Sequence, residues 1–143
     1  MKKLIAIPAS RREVETQPLV RVPHVLISIR DPGTRKPRPF KHRLRRDTLF
    51  LAFHDAEPVA NFLLPPEIKL MTPKQASEIW AFALKNIGNI EAVVVHCEQG
   101  MSRSPAVAAG LLLGLGLDAS ELMQTYQPNA YVLRLMLDAQ PRT

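Results

Sequence analysis

An unbroken apolar run, Ala92-Val93-Val94-Val95, constrains this chain more than any other stretch. Valine is stiff at χ1 and favours extended backbone. A run without polar alternation suits a strand buried on both faces of a parallel sheet. Leu4 to Ile7 is a second short apolar run, suited to an edge strand. Val20 to Ile29 holds a third, Val25-Leu26-Ile27-Ser28-Ile29, stopped by the turn signal Asp31-Pro32-Gly33. Thr48 to Phe53 is a fourth, ending at His54-Asp55-Ala56-Glu57-Pro58, and residues 58 to 72 read as irregular. A helix follows, with Thr72 as N-cap, Pro73 at its first position and Gly88 as its stop. Ala76, Ile79, Trp80, Ala83, Leu84 and Ile87 repeat at helical spacing, which makes Trp80 a core anchor. Pro105 opens a buried helix through Leu117, and Asp118 to Tyr126 and Asn129 to Ala139 suggest two more. Strands broken by helices around a doubly buried strand predict one α/β domain over residues 1–143, a central, mostly parallel sheet flanked by helices.

Composition fits that reading. The chain has 143 residues, 46% of them apolar, enough for one compact domain and its core. Its single cysteine, Cys97, excludes an intrachain disulfide and a cysteine-based zinc cluster. It gives no reason to place the protein outside a reducing compartment. His24 and His42 are scattered with no ligand spacing and His54 reads as a strand-end residue, so no metal is expected. The start, Met1-Lys2-Lys3 before Leu4 to Ile7, imitates a signal peptide, but Pro8 ends the apolar run short of the roughly 7–15 residues needed. The longest apolar stretch, Ala106 to Leu117, falls short of the about 20 residues that span a bilayer. The expectation is a cytoplasmic protein without membrane association.

The formal net charge of +6 attracts anions. Arg35, Lys36, Arg38, Lys41, Arg43, Arg45 and Arg46 put seven cations into twelve residues, interrupted by Pro37 and Pro39. That stretch, 35–46, reads either as a solvated, mobile loop or as a docking surface for a phosphorylated or nucleic-acid partner. Phe40 is its only aromatic residue, which argues against a stacking-type site.

The chemistry gathers around the cysteine, in Val95-His96-Cys97-Glu98-Gln99-Gly100-Met101-Ser102-Arg103-Ser104-Pro105. A buried strand feeds this loop, a glycine lies within it and a helix begins directly after it. Such a turn gathers successive N–H groups around an anion, and the helix N-terminus adds positive potential. Arg103 can grip two phosphate oxygens with its fork. A cysteine at the base of an anion site is favoured as thiolate, the nucleophilic form. The alternative is an inert cysteine at a strand end, since free cysteine is often buried.

His96-Cys97, five residues, then Arg103-Ser104 resembles the signature loop of the cysteine-based protein tyrosine phosphatases. Gly100 and Ser102-Arg103-Ser104-Pro105 look most like the small dual-specificity and prokaryote-type branch. Pro128-Asn129 is similar to a pair that many dual-specificity enzymes carry after the loop helix. The resemblance implies phosphate monoester hydrolysis, most simply on phosphotyrosine in proteins, through a cysteinyl-phosphate intermediate and with no cofactor. It implies that Cys97 is the nucleophile, with Glu98, Gln99, Gly100, Met101, Ser102 and Arg103 cradling the phosphate. Ser104 would ease departure of the thiolate, His96 would orient the loop and help hold the thiolate, and Asn129 would support the loop. The family's Trp-Pro-Asp tripeptide is missing. Asp55, just past an apolar strand, resembles the general acid of the small dual-specificity enzymes, with Glu57 and Asp47 as fallbacks; otherwise Asp55 is a turn former.

Two rivals remain open on the residues alone, a rhodanese-type sulfurtransferase and a non-catalytic phosphate-binding module. Within the phosphatase reading, substrate choice is open as well. The basic stretch 35–46 would favour polyanions such as phosphoinositides or RNA 5′ ends.

Overall fold

A computed structural model describes residues 3–141, so Met1 and Lys2 of the basic start lie outside it. Four parallel strands, β1 (Ile5–Ser10), β2 (His24–Arg30), β3 (Arg45–Ala52) and β4 (Ala92–Cys97), form one sheet in the order β1-β4-β2-β3. The valine run is β4. It pairs with β1 and β2 on either side, and all six of its residues are buried. β1 is an edge strand as expected. Ile5 N–H donates inward to the Glu91 carbonyl at 3.0 Å, so the alternate residue Pro8 has its missing N–H on the open edge, where no ladder bond is lost.

Helices α2 (Pro73–Asn86), α3 (Arg103–Gly114) and α5 (Ala130–Asp138) pack on one face of the sheet, while α4 (Ser120–Thr125) follows α3 at its periphery. The main core joins Val25, Ile27 and Ile29 of β2 and Val93 and Val95 of β4 to the buried side of α3. Trp80 is 2% exposed, and its Nε1 donates to the Met136 carbonyl at 2.7 Å, tying α2 to α5. A second, smaller core of Val14, Val20, Leu26 and Val94 lies on the other face. Burial on both faces is what removes polar alternation from β4. Among the described residues no helix is long and apolar enough to cross a membrane.

Three expectations change. Helix α1 (Arg11–Thr16), absent from the sequence reading, covers the second face. Only Val14 of its six residues is buried, so it has no apolar period to detect, although Ser10 and Glu13 form a complete capping box. β3 starts inside the basic stretch, at Arg45 rather than Thr48, because its first residues pair with the start of β2. The rest of the stretch is not a loose loop. Arg38 N–H donates to Glu15 Oε2 at 2.8 Å, Phe40 N–H to the Val14 carbonyl at 2.7 Å, and Arg11 Nη2 to the Arg35 carbonyl at 2.7 Å. The Arg38 N–H, with Arg11 and Arg35 nearby, holds the Glu15 carboxyl below its ordinary range. The segment is strapped across the sheet by α1.

Candidate active site

The C-terminal ends of β4 and β2 and the first turn of α3 converge on Cys97. Its Sγ is buried, with the Ser104 hydroxyl at 3.2 Å and the Gly100 N–H donating from 3.3 Å. Both contacts suit a thiolate, which accepts hydrogen bonds. Gly100 has φ +76°, and a Cβ there would lie 2.7 Å from the Ala9 carbonyl carbon, so the loop closes against the end of β1 only with glycine. The backbone N–H groups of Glu98, Gln99, Met101 and Ser102 find no acceptor among the described residues. Ser102 occupies the N-cap position of α3 but makes no cap bond; its hydroxyl donates to Asp55 Oδ1 at 2.8 Å instead. The helix therefore meets the loop with its first amides free, an anion cradle.

Arg103, the first residue of α3, is 4% exposed. Its Nη1 donates to Asp31 Oδ1 and to the Phe53 carbonyl, each at 2.7 Å. Its Nε is buried and has no partner. The guanidinium is thus held by one corner while another donor waits. An unsatisfied buried N–H costs about 1–3 kcal/mol, a cost a bound anion relieves.

His96 lies behind the loop, fully buried. Burial, the largest cause, pushes it down to about 4 from 6.5, against a smaller upward pull from its bond to the Cys97 carbonyl. It is neutral at pH 7. Its Nδ1 faces that carbonyl at 3.2 Å and its Nε2 faces the Ser28 hydroxyl at 2.6 Å. A carbonyl only accepts, so Nδ1 carries the proton and Nε2 accepts from Ser28. His96 therefore meets the backbone of Cys97 as a neutral ring.

The expected acid is beside the loop. Besides Ser102, Asp55 Oδ1 accepts from Asn129 Nδ2 at 2.9 Å. Asn129 also donates its backbone N–H to the Ser102 carbonyl at 3.1 Å and caps α5 through Oδ1, so one residue joins Asp55, loop and helix. Of the fallbacks, Glu57 lines the same cleft as Asp55, Ser102 and Asn129, and Asp47 does not. Glu57 Oε1 takes the Tyr131 N–H at the start of α5. Asp47, near the start of β3, pairs with Lys85 at 3.7 Å, at the end of the sheet away from Cys97. His54 is structural, accepting the Lys69 N–H at 2.9 Å.

No protein-family model matches the chain, and no curated protein matches it at a significant level. Solved structures do. Human DUSP28 superposes with a TM-score of 0.62 at 17% identity, over 94% of this chain and 90% of that one. The chain has the dual-specificity phosphatase fold. A mouse protein assigned as a dual specificity phosphatase, solved with zinc tungstate, shares it with a TM-score of 0.52 at 15% identity, over 81% and 69% of the two chains.

On this phosphatase fold, two functional neighbours escaped the sequence reading. In the sequence Asp31 reads only as part of a turn, yet its place at the end of the strand beside β4 brings it to Arg103. Ser28 carried a usable signal, as the one polar residue inside an apolar strand; it is 1% exposed and meets His96. The basic stretch divides. Arg35 pairs with Glu15 on α1 at 3.5 Å, but Arg45 and Arg46 lie where β3 begins, about 20 Å of strand from the site end. That half lies at the end of the sheet opposite the loop, while Arg35 lies beside α1.

Proposed function

We propose that this protein is a cysteine-dependent phosphomonoester hydrolase of the protein tyrosine or dual-specificity phosphatase type, acting on phosphotyrosine in proteins. The observation that carries the reading is the unpartnered, buried Nε of Arg103 beside uncapped α3 amides and a thiol with two donors. Phosphate supplies the acceptors this arrangement lacks. Cys97 Sγ would attack phosphorus as the bond to the leaving oxygen breaks, while Arg103 and the loop amides of residues 98 to 103 hold the three equatorial oxygens. Asp55 would give its proton to the leaving oxygen, then take one from the water that cleaves the S–P bond. Ser104 eases the return of the thiolate, and Asn129 holds acid and loop in register. A sulfurtransferase has no use for the Asp55–Ser102 contact, so that rival loses ground.

The test is hydrolysis of a small aryl phosphate in excess EDTA from pH 5 to 8, by the wild type and by Cys97→Ser. Activity that survives the chelator and disappears in the variant supports the reading. A wild type that binds phosphate or vanadate but never turns over would make the protein a binding module.

A further inference from the structure

We propose that the tip of the loop between β3 and α2 selects the substrate. With the cleft beside it, the tip receives an apolar side chain that flanks the phosphotyrosine of a protein. The inference rests on the phosphatase reading and names what that site prefers.

The loop is built to hold its tip out. At its base His54 N–H donates to the Lys69 carbonyl at 2.7 Å, and Lys69 N–H donates back to His54 Nδ1 at 2.9 Å, closing residues 54–69. The first arm is fastened to the start of α5. Asn129 Nδ2 donates to the Ala56 carbonyl at 3.2 Å, and Glu57 Oε1 accepts the Tyr131 N–H at 3.1 Å. Pro58, Pro65 and Pro66 stiffen both arms. Between them Phe62 N–H donates to the Val59 carbonyl at 3.2 Å in a tight turn, with Asn61 at φ 60°, a conformation asparagine tolerates.

On this anchored frame the apolar side chains point at nothing in the chain. Leu63 is 93% exposed and Phe62 63%, the two most exposed large apolar side chains among the described residues. Val59 beside them is exposed as well. Apolar groups held out together on a pinned loop mark a contact surface. Val59 joins the tip to the reaction site. It lines a cleft of about 560 Å³ whose walls include Asp55, Ser102 and Asn129. Asp55 and Ser102 form the contact that ties acid to loop, so an occupant of the cleft lies beside the bound phosphate.

Charge selects the occupant. Residues 47–68 contain no lysine or arginine but four carboxylates, Asp47, Asp55, Glu57 and Glu67. Of the residues lining the cleft, only Asp55 and Glu57 are charged. An anionic membrane surface or a nucleic acid would be repelled there. A phosphotyrosine peptide brings its phosphate to the loop and can lay an apolar neighbour against Val59, Phe62 and Leu63. An extended chain advances about 3.3 Å per residue, so flanks of three residues reach about 10 Å.

The test compares three phosphotyrosine peptides that differ only in carrying leucine, serine or lysine within three residues of the phosphotyrosine. Turnover is measured with the full wild-type chain, and affinity with Cys97→Ser by fluorescence anisotropy. Leucine should be favoured over serine by about tenfold in kcat/KM, and in the same order in affinity. The double variant Phe62→Ser, Leu63→Ser should reduce that preference to below about threefold. Its circular dichroism and aryl phosphate hydrolysis should not change, since both side chains are exposed at the tip. A leucine preference below about twofold, a preference for lysine, or a double variant that keeps the wild-type preference would overturn the proposal. So would attachment of the tip to phosphatidylcholine vesicles or to a second copy of the chain, lost in the double variant. A wild type that hydrolyses aryl phosphate without preference among the peptides overturns this proposal alone. One that neither hydrolyses aryl phosphate nor binds any of the peptides overturns the phosphatase reading with it.

Discussion

Helices α2 and α3 begin on similar residues and treat their first turns in opposite ways. Each has a hydroxyl residue at the N-cap and proline within the first turn, Thr72-Pro73 in α2 and Ser102 with Pro105 in α3. In α2 the Thr72 hydroxyl takes the Gln75 N–H at 3.1 Å, and the Gln75 side chain returns the bond to the Thr72 N–H at 3.0 Å. In α3 the Ser102 hydroxyl turns to Asp55 and the amides stay free. One helix uses its capping residue to close its own first turn; the other uses it to tie Asp55 to the loop and leaves its first amides free. The same local code yields a structural start or a chemical one, depending on what the tertiary fold brings near it.

The sharpest way to break this contrast is to change what the free end of α3 faces. Arg103→Lys keeps the charge and loses the fork, so aryl phosphate kcat/KM should fall by about 10²–10³. A fall below about threefold would mean that the guanidinium is not a phosphate ligand. Loss of the buried neutral His96 environment comes next. Its folded value of about 4 lies below the ordinary 6.5. Above pH 6.5 it is neutral folded or unfolded, so it adds no pH dependence there. As pH falls from 6.5 towards 4, the unfolded chain binds a proton that the folded chain refuses, and stability drops. Between pH 7 and pH 5 the loss should be about 2 kcal/mol. Urea midpoints across that range should fall in the wild type and stay flatter in His96→Gln. Parallel curves would show that His96 is not the proton-refusing group.

Asp31 tests how Arg103 is aimed. Asp31→Asn removes the charge from the 2.7 Å contact while keeping an acceptor in place. The expected result is a loss of about tenfold in kcat, about 1.4 kcal/mol, with KM little changed and recovery in Asp31→Glu. A variant that fails to fold instead would give Asp31 a structural role.

The fold was legible where burial imposes a pattern. β4, the Thr72 cap and the Trp80 face of α2 follow from apolar periodicity and cap chemistry that act over a few residues. The loop from His96 to Ser104 was legible as well, because one strand-loop-helix unit carries Cys97 and Arg103 together. Asp31, Ser28 and the Glu15 strap were not. Each acts on a partner 20 or more residues away in the chain, such as Arg103, His96 or Arg38, and only the order of parallel strands and the placement of α1 bring them together. The layout of the basic stretch was hidden for a related reason. Seven neighbouring cations look like one surface, but a segment returning from the end of one parallel strand to the start of the next must cross the whole sheet, so its two halves face opposite ends.

The smallest expected effect bears most directly on the two caps. Thr72→Ala removes a reciprocal cap and should cost about 1 kcal/mol of stability. Its activity should hold, since the Thr72 hydroxyl bonds within the first turn of α2 and touches neither the loop nor Asp55. Ser102→Ala removes no cap bond, so its urea midpoint should stay within about 0.5 kcal/mol of wild type. It does release Asp55 from one of its two donors, leaving Asn129 alone to place the carboxyl. The loss should therefore appear in kcat, several-fold, and grow for substrates with poor leaving groups, which depend most on the acid. If both variants lost stability equally and activity not at all, the two helix starts would be equivalent, and the free amides of α3 would carry no chemistry.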